Sequence, residues 1–240
     1  MDASTRRSLT IIAAAAIVLA LITGVVLSTR DDDSAGAEAS SPTAGDTDPR
    51  QGEEQLGLTR RDADDVTAIG DVDAPLVLIE YSDYRCPFCG VFARDTMPAL
   101  MEEYIETGKL RFEWRDYPVF GEESIAGAMA ARAAGEKGLY WEYHDAMYAD
   151  APERGHLEIN REKIMAWAEQ VDVPDLEKFE ADLEDPDLRA LVEQDAVEAQ
   201  SLGASGTPTF VLGKKPLVGA LPLDTFRQEI DDQLDAIGEN

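Results

Sequence analysis

The chain is 240 residues long, with 21 Lys and Arg against 49 Asp and Glu and a formal net charge of −28. That length suits one good-sized domain with appendages, and so acidic a surface excludes nucleic acid as a partner, because phosphate binding needs exposed basic side chains. Both cysteines, Cys86 and Cys89, fall in a single Cys-Pro-Phe-Cys motif, which excludes the multi-bridge framework of small secreted domains.

In chain order, residues 9–27 come first as a feature: they carry no charge and are almost wholly aliphatic. As a helix they would span about 28 Å, close to the roughly 30 Å hydrocarbon core of a bilayer. Arg6 and Arg7 precede this run and Asp31, Asp32 and Asp33 follow it. The positive-inside bias then makes residues 1–8 a cytoplasmic tail and places everything after residue 27 outside. We expect an uncleaved, single-pass membrane anchor. A small-residue site at Ala35-Gly36-Ala37 leaves a cleaved, secreted form open, and Thr5-Arg6-Arg7-Ser8-Leu9 leaves a twin-arginine signal open. Residues 28–62, rich in Ser, Ala, Gly, Asp, Glu, Thr and Pro, bury too little apolar surface to fold and read as a flexible tether.

The folded domain is expected over residues 63–240. Residues 66–69 predict a short strand, and Gly70-Asp71-Val72-Asp73-Ala74-Pro75 a turn. Residues 76–81 (Leu-Val-Leu-Ile-Glu-Tyr) predict a strand that hands over to a helix, in which Val91, Phe92, Leu100, Met101, Tyr104 and Ile105 recur at helical spacing. Pro98 is expected to kink or break that helix. The alternation Leu110-Arg111-Phe112-Glu113-Trp114 predicts another strand. From about 122 to 203 the pattern is helical, with segments at 126–134, 141–148, 159–171 and 183–202. Strands return at 207–212 and 216–219, and a last helix runs over 223–237. The order is that of an α/β core interrupted by a helical insertion.

The chemistry concentrates at the Cys-Pro-Phe-Cys motif. Pro87 falls in the first helical turn, where its fixed φ fits and its missing N–H costs nothing. Cys86 thereby meets the positive end of the helix dipole and unpaired backbone N–H groups, both of which favour thiolate over thiol. The pattern predicts a redox dithiol. A static disulfide across so short a loop would stabilise little. By count, His144 and His156 complete a Cys2His2 set, but the spacing is wrong for a zinc finger, and no metal is expected. The aromatic group Tyr140, Trp141, Tyr143 and Tyr148 reads as core, with His144 packed in the same helical block.

Glu80-Tyr81-Ser82-Asp83-Tyr84-Arg85-Cys86-Pro87-Phe88-Cys89 and, later, Gly206-Thr207-Pro208-Thr209-Phe210 resemble the two signature regions of the DsbA-like branch of the thioredoxin superfamily. The resemblance runs from about residue 64 to the C-terminus. It implies a thioredoxin-like fold with a helical insertion, here behind a transmembrane helix, and thiol:disulfide oxidoreductase activity without a prosthetic group. Residue by residue, it implies Cys86 as the exposed nucleophile and Cys89 as the buried resolving thiol. Pro208 becomes a cis-proline that, with the backbone of Thr207, receives an extended substrate segment, and Glu80 a buried acid that relays the proton of Cys89. The most oxidising relatives carry His between the cysteines where this chain has Phe88, and Arg85 is a candidate for lowering the Cys86 pKa instead. The expected partners are exported proteins with free thiols and a membrane oxidase of the DsbB or vitamin-K-epoxide-reductase type. A reductase or isomerase of the same fold, or a redox-inert chaperone using the cis-proline groove, are the alternatives.

Overall fold

The computed structural model describes residues 57–239. The expected cytoplasmic tail, the span at 9–27 and most of the tether lie outside the described residues. Among those described, no helix is long and apolar enough to cross a membrane.

The framework is a five-stranded sheet in the order β1-β3-β2-β4-β5. Its strands are β1 (Ala68–Ile69), β2 (Leu76–Ser82), β3 (Leu110–Asp116), β4 (Thr209–Leu212) and β5 (Lys215–Val218). β2 and β3 run parallel, with Glu80 opposite Trp114, while β1, β4 and β5 each pair antiparallel with their neighbours. A parallel pair needs a crossover. Helix α1, residues 87–105, supplies it. Helices α2 (Glu122–Gly135), α3 (Tyr140–Ala149), α4 (Arg161–Gln170), α5 (Leu176–Asp182) and α6 (Pro186–Ser201) form the insertion between β3 and β4, and α7 (Leu223–Ile237) closes the domain.

Pro98 does not break α1. The turns Phe92–Thr96 and Met101–Ile105 widen to π geometry on either side of Met97–Leu100, and the Met97 N–H bonds back to the Phe92 carbonyl. Widening the turn accommodates a residue that has no N–H to give, so the helix passes through its proline. The expected helix at 183–202 begins instead at Pro186, where proline suits the first turn and the Asp185 carboxylate caps the Asp187 N–H. The short α5 before it has too few apolar repeats to show in the pattern.

Both faces of the sheet are covered. Leu76, Leu78, Phe112, Trp114 and Phe210 point into the larger core with Phe92, Tyr148 and Phe226, while Val77, Ile79 and Tyr81 pack with Leu58 and Ala199 on the other side. The polar half of β3 is therefore buried as well: Arg111, Glu113 and Arg115 are all enclosed. What encloses them corrects the tether boundary. Leu58 is buried, the Arg60 and Arg61 amides donate to the Glu113 carboxylate (3.1 and 3.0 Å), and the Arg60 guanidinium pairs with Asp195 of α6. Residues 58–62 thus belong to the folded unit.

Candidate active site

The site forms where β2 ends and α1 begins. The Asp83 carboxylate accepts N–H groups from Arg85 (2.8 Å), Val119 (2.7 Å) and Phe120 (3.2 Å), and the Cys86 N–H bonds the Asp83 carbonyl (2.9 Å). This turn holds Cys86 in extended geometry immediately before Pro87 opens the helix, and Cys89 follows one turn in. Both thiols are free. The peptide Thr207–Pro208 is cis, and it brings the Thr207 carbonyl to 3.2 Å from the Cys86 sulfur, which donates to it. The buried Thr207 hydroxyl has no partner within the described residues.

The two thiols are pushed in opposite directions. A hydrogen bond from Cys89, stronger than the opposing effect of burial and joined by Thr207 and the amides of Cys89 and Phe88, lowers the Cys86 pKa to about 6. Burial pushes the Cys89 thiol well up, helped by its bond to Cys86 and by the charge of Glu80. Glu80 sits beneath them on the core face of β2, 2 % exposed, with the Ser82 hydroxyl donating to it at 2.8 Å. Burial raises its carboxyl to about 8, the Ser82 bond works against this, and the charge of Cys86 adds to it. Glu80 is therefore the buried acid that the resemblance implied, on the core face of the strand and not on a solvent face.

Two expectations change. Cys86 was expected to be exposed, but only 3 % of it is, because the cis-proline loop covers it; the exposed residue of the motif is Phe88, at 63 %. Arg85 does not reach the thiolate. Its guanidinium donates to the carbonyls of Leu157 (2.9 Å) and Phe120 (2.8 Å) and pairs with Glu123 (3.1 Å), so it ties the active-site turn to two loops. His144 lies among Tyr84, Trp114, Trp141 and Tyr148, His156 rests on Phe120, and no group of metal-ligating side chains occurs among the described residues. Beside Phe88 an open cleft of about 380 Å³ lies between Pro87, Phe88 and Val91 on one side and Glu153, Arg154 and Gly155 on the other.

Sequence reasoning missed Ser82 and Tyr148. The Tyr148 hydroxyl lies 3.4 Å from the Ser82 oxygen and donates to the Asp83 carbonyl at 3.3 Å. The signal available for Ser82 was its place two residues after Glu80, on the same face of one strand. Tyr148 comes from the insertion, and only the tertiary fold brings it to the dithiol.

The thioredoxin family model matches residues 62–232. A probable disulfide bond formation protein D of Bacillus cereus is 28 % identical over 170 residues, which cover 70 % of this chain and 78 % of that protein. Among solved structures, a thioredoxin-like oxidoreductase from Silicibacter pomeroyi shares 27 % identity with a TM-score of 0.60, covering 70 % of this chain and 91 % of that one. Oxidised BdbD from Bacillus subtilis superposes with a TM-score of 0.66 at 22 % identity, covering 70 % and 92 %. A dithiol at a helix start facing a cis-proline, on a sheet shared with disulfide-forming relatives, leaves one conclusion: the chain belongs to the thioredoxin family, as a DsbA-like thiol:disulfide oxidoreductase.

Proposed function

We propose that this oxidoreductase works outside the cytoplasmic membrane, anchored by residues 9–27, and donates its Cys86–Cys89 disulfide to exported proteins. In the reaction, a substrate thiolate attacks the Cys86 sulfur, and the bond to Cys89 breaks with its electron pair on Cys89. Glu80, protonated at neutral pH, supplies the proton that Cys89 gains. A second substrate thiolate then attacks the substrate sulfur of the mixed disulfide, and Cys86 leaves as a thiolate. The observation that carries this reading is the opposite treatment of the two sulfurs: Cys86, bonded by Cys89 and the amides of Cys89 and Phe88 at the helix start, is favoured as a thiolate, while Cys89 is buried as a thiol. A stabilised Cys86 thiolate is a good leaving group and favours the reduced enzyme, which makes the oxidised form a donor.

Thr207 and Pro208 supply the edge along which an extended substrate segment pairs, next to the cleft walled by Phe88. Reoxidation falls to a membrane oxidase of the DsbB or vitamin-K-epoxide-reductase type, and the compartment outside the membrane suits lasting disulfides. The test is the reduction potential of the purified full chain, equilibrated in glutathione buffers. A donor gives a value above about −200 mV, whereas one near about −270 mV overturns donation in favour of reduction.

A further inference from the structure

The dithiol stands between two arginines of its own segment, Arg85 before it and Arg94 after it. In a helix the Cα–Cβ bonds tilt toward the N-terminus, so Arg94 leans back over Gly90, four residues earlier. Gly90 leaves the room for this: a Cβ there would lie 2.9 Å from Arg94 Nη1. Through the gap Nη1 donates to the Tyr148 carbonyl at 2.7 Å, in the last turn of α3, where carbonyls run out of helical partners and a cation is favoured. Arg85 holds the far end of the loop that follows α3. Its Nε donates to the Leu157 carbonyl at 2.9 Å, and its own carbonyl lies 3.1 Å from His156 Nδ1. Between these ties stand the exposed Glu153, Arg154 and Gly155, which face Pro87, Phe88 and Val91 across the cleft of about 380 Å³.

We infer that Arg94 and Arg85 are positioning residues that register this wall to the dithiol, and so shape a subsite for a large apolar side chain next to the reacting cysteine of the substrate. The inference rests on the reading that an extended substrate segment lies along the Thr207–Pro208 edge, beside the cleft. The dithiol side of the cleft is apolar, and Phe88 has 63 % of its surface free to cover an incoming side chain. The wall belongs to the insertion, yet both its ties come from the segment that carries the cysteines, so its distance from the dithiol is set locally. Each tie joins a guanidinium to a carbonyl, a charge-assisted bond stronger than its neutral counterpart. Release of the Arg94 tie lets the wall move away from Phe88, which widens the cleft and uncovers part of the bound side chain. Cys86 keeps its own bond to Thr207, so the chemistry at the sulfur is untouched.

The test mixes the oxidised full chain with an excess of either of two capped peptides, each carrying one cysteine flanked on both sides by phenylalanine or by glycine. Samples are quenched in acid and resolved by mass, and the rate at which the protein disulfide is reduced is followed against peptide concentration. Wild type prefers the phenylalanine peptide about ten-fold through a lower half-saturating concentration, the low end for burying such a side chain. In Arg94→Met that concentration rises until the preference is lost, while the limiting rate and the pH midpoint of Cys86 alkylation do not move. Arg94→Lys keeps a cationic donor for the single bond to the carbonyl and restores the preference. If Arg94→Met does not fold, Gly90→Ala tests the same tie, because its methyl group meets the Arg94 guanidinium first. Full preference in the folded variant, or no rescue by lysine, overturns the inference. So does a shifted alkylation midpoint, since the tie would then act on the dithiol itself. A wild type without preference removes the cleft as a substrate subsite, and the inference with it, whereas a preference that survives in the variants removes only the ties.

Discussion

Two buried glutamates on neighbouring strands meet opposite fates. Glu113 and Glu80 sit on β3 and β2 of the same sheet, one register step apart, and almost no solvent reaches either. Glu113 faces the side closed by residues 58–62 and α6. There it accepts from the Arg115 guanidinium (2.6 Å), the Arg111 Nε (3.1 Å) and the Arg60 and Arg61 amides. Burial alone would raise its pKa, but the Arg115 charge and the two amides outweigh burial and lower it. Glu80 faces the dithiol with one hydroxyl and, among the described residues, no cation paired to it, and its carboxyl rises to about 8. The difference is not how deeply each is buried but what is buried with it. Paired charge makes the first a fixed ionic joint, while the absence of a cation leaves the second able to take and release a proton near neutrality.

Removing a paired charge is the largest effect expected. Glu113→Ala takes from Arg111 its carboxylate and from Arg115 its shortest ion pair in a closed site, and should cost about 3–5 kcal/mol in a urea unfolding series. A loss below about 1 kcal/mol, the range of exposed pairs, would show that water reaches this joint and break the comparison.

The pH dependence of Glu80 should run the other way. A carboxyl whose folded pKa lies above its unfolded value of about 4.3 contributes stability that is lost as pH rises from there through about 8. By pH 7 the loss spans most of that interval and amounts to several kcal/mol. The stability of reduced Glu80→Gln relative to wild type should therefore improve by roughly that amount between pH 4.3 and pH 7. A flat difference across that range would place Glu80 with Glu113 as a paired charge.

Alkylation of the reduced protein should follow one thiol. The rate at Cys86 should reach half its maximum near pH 6, with Cys89 unreactive in the native state. The smallest effect belongs to Arg85. Because its guanidinium is occupied by Leu157, Phe120 and Glu123, Arg85→Gln should leave that midpoint within about 0.3 pH unit. An upward move of about a unit or more would mean that the arginine acts on the thiolate after all.

Much of this architecture was legible because local signals are strong where one face of an element is apolar. The strand at 76–81, the final helix Leu223–Ile237 and the order of elements all followed from periodicity. Pro98 does not break its helix because turns widened to π geometry no longer need the missing N–H, and nothing in composition announces that widening. β3 was read correctly as a strand, but its polar half is covered by other charged residues, which periodicity cannot distinguish from water.

The sequence by itself determined the dithiol and its place at a helix start, because these depend on contiguous residues with fixed backbone preferences, while the proline loop that answers it was implied by the family resemblance. The tertiary structure alone decided which carboxylate stays neutral, that Cys86 lies covered while Phe88 stands exposed, and that Arg85 turns away to hold two loops. Each of those outcomes depends on groups distant in sequence, and a pKa or an exposure is set by every charge, dipole and surface that folding brings within a few ångströms.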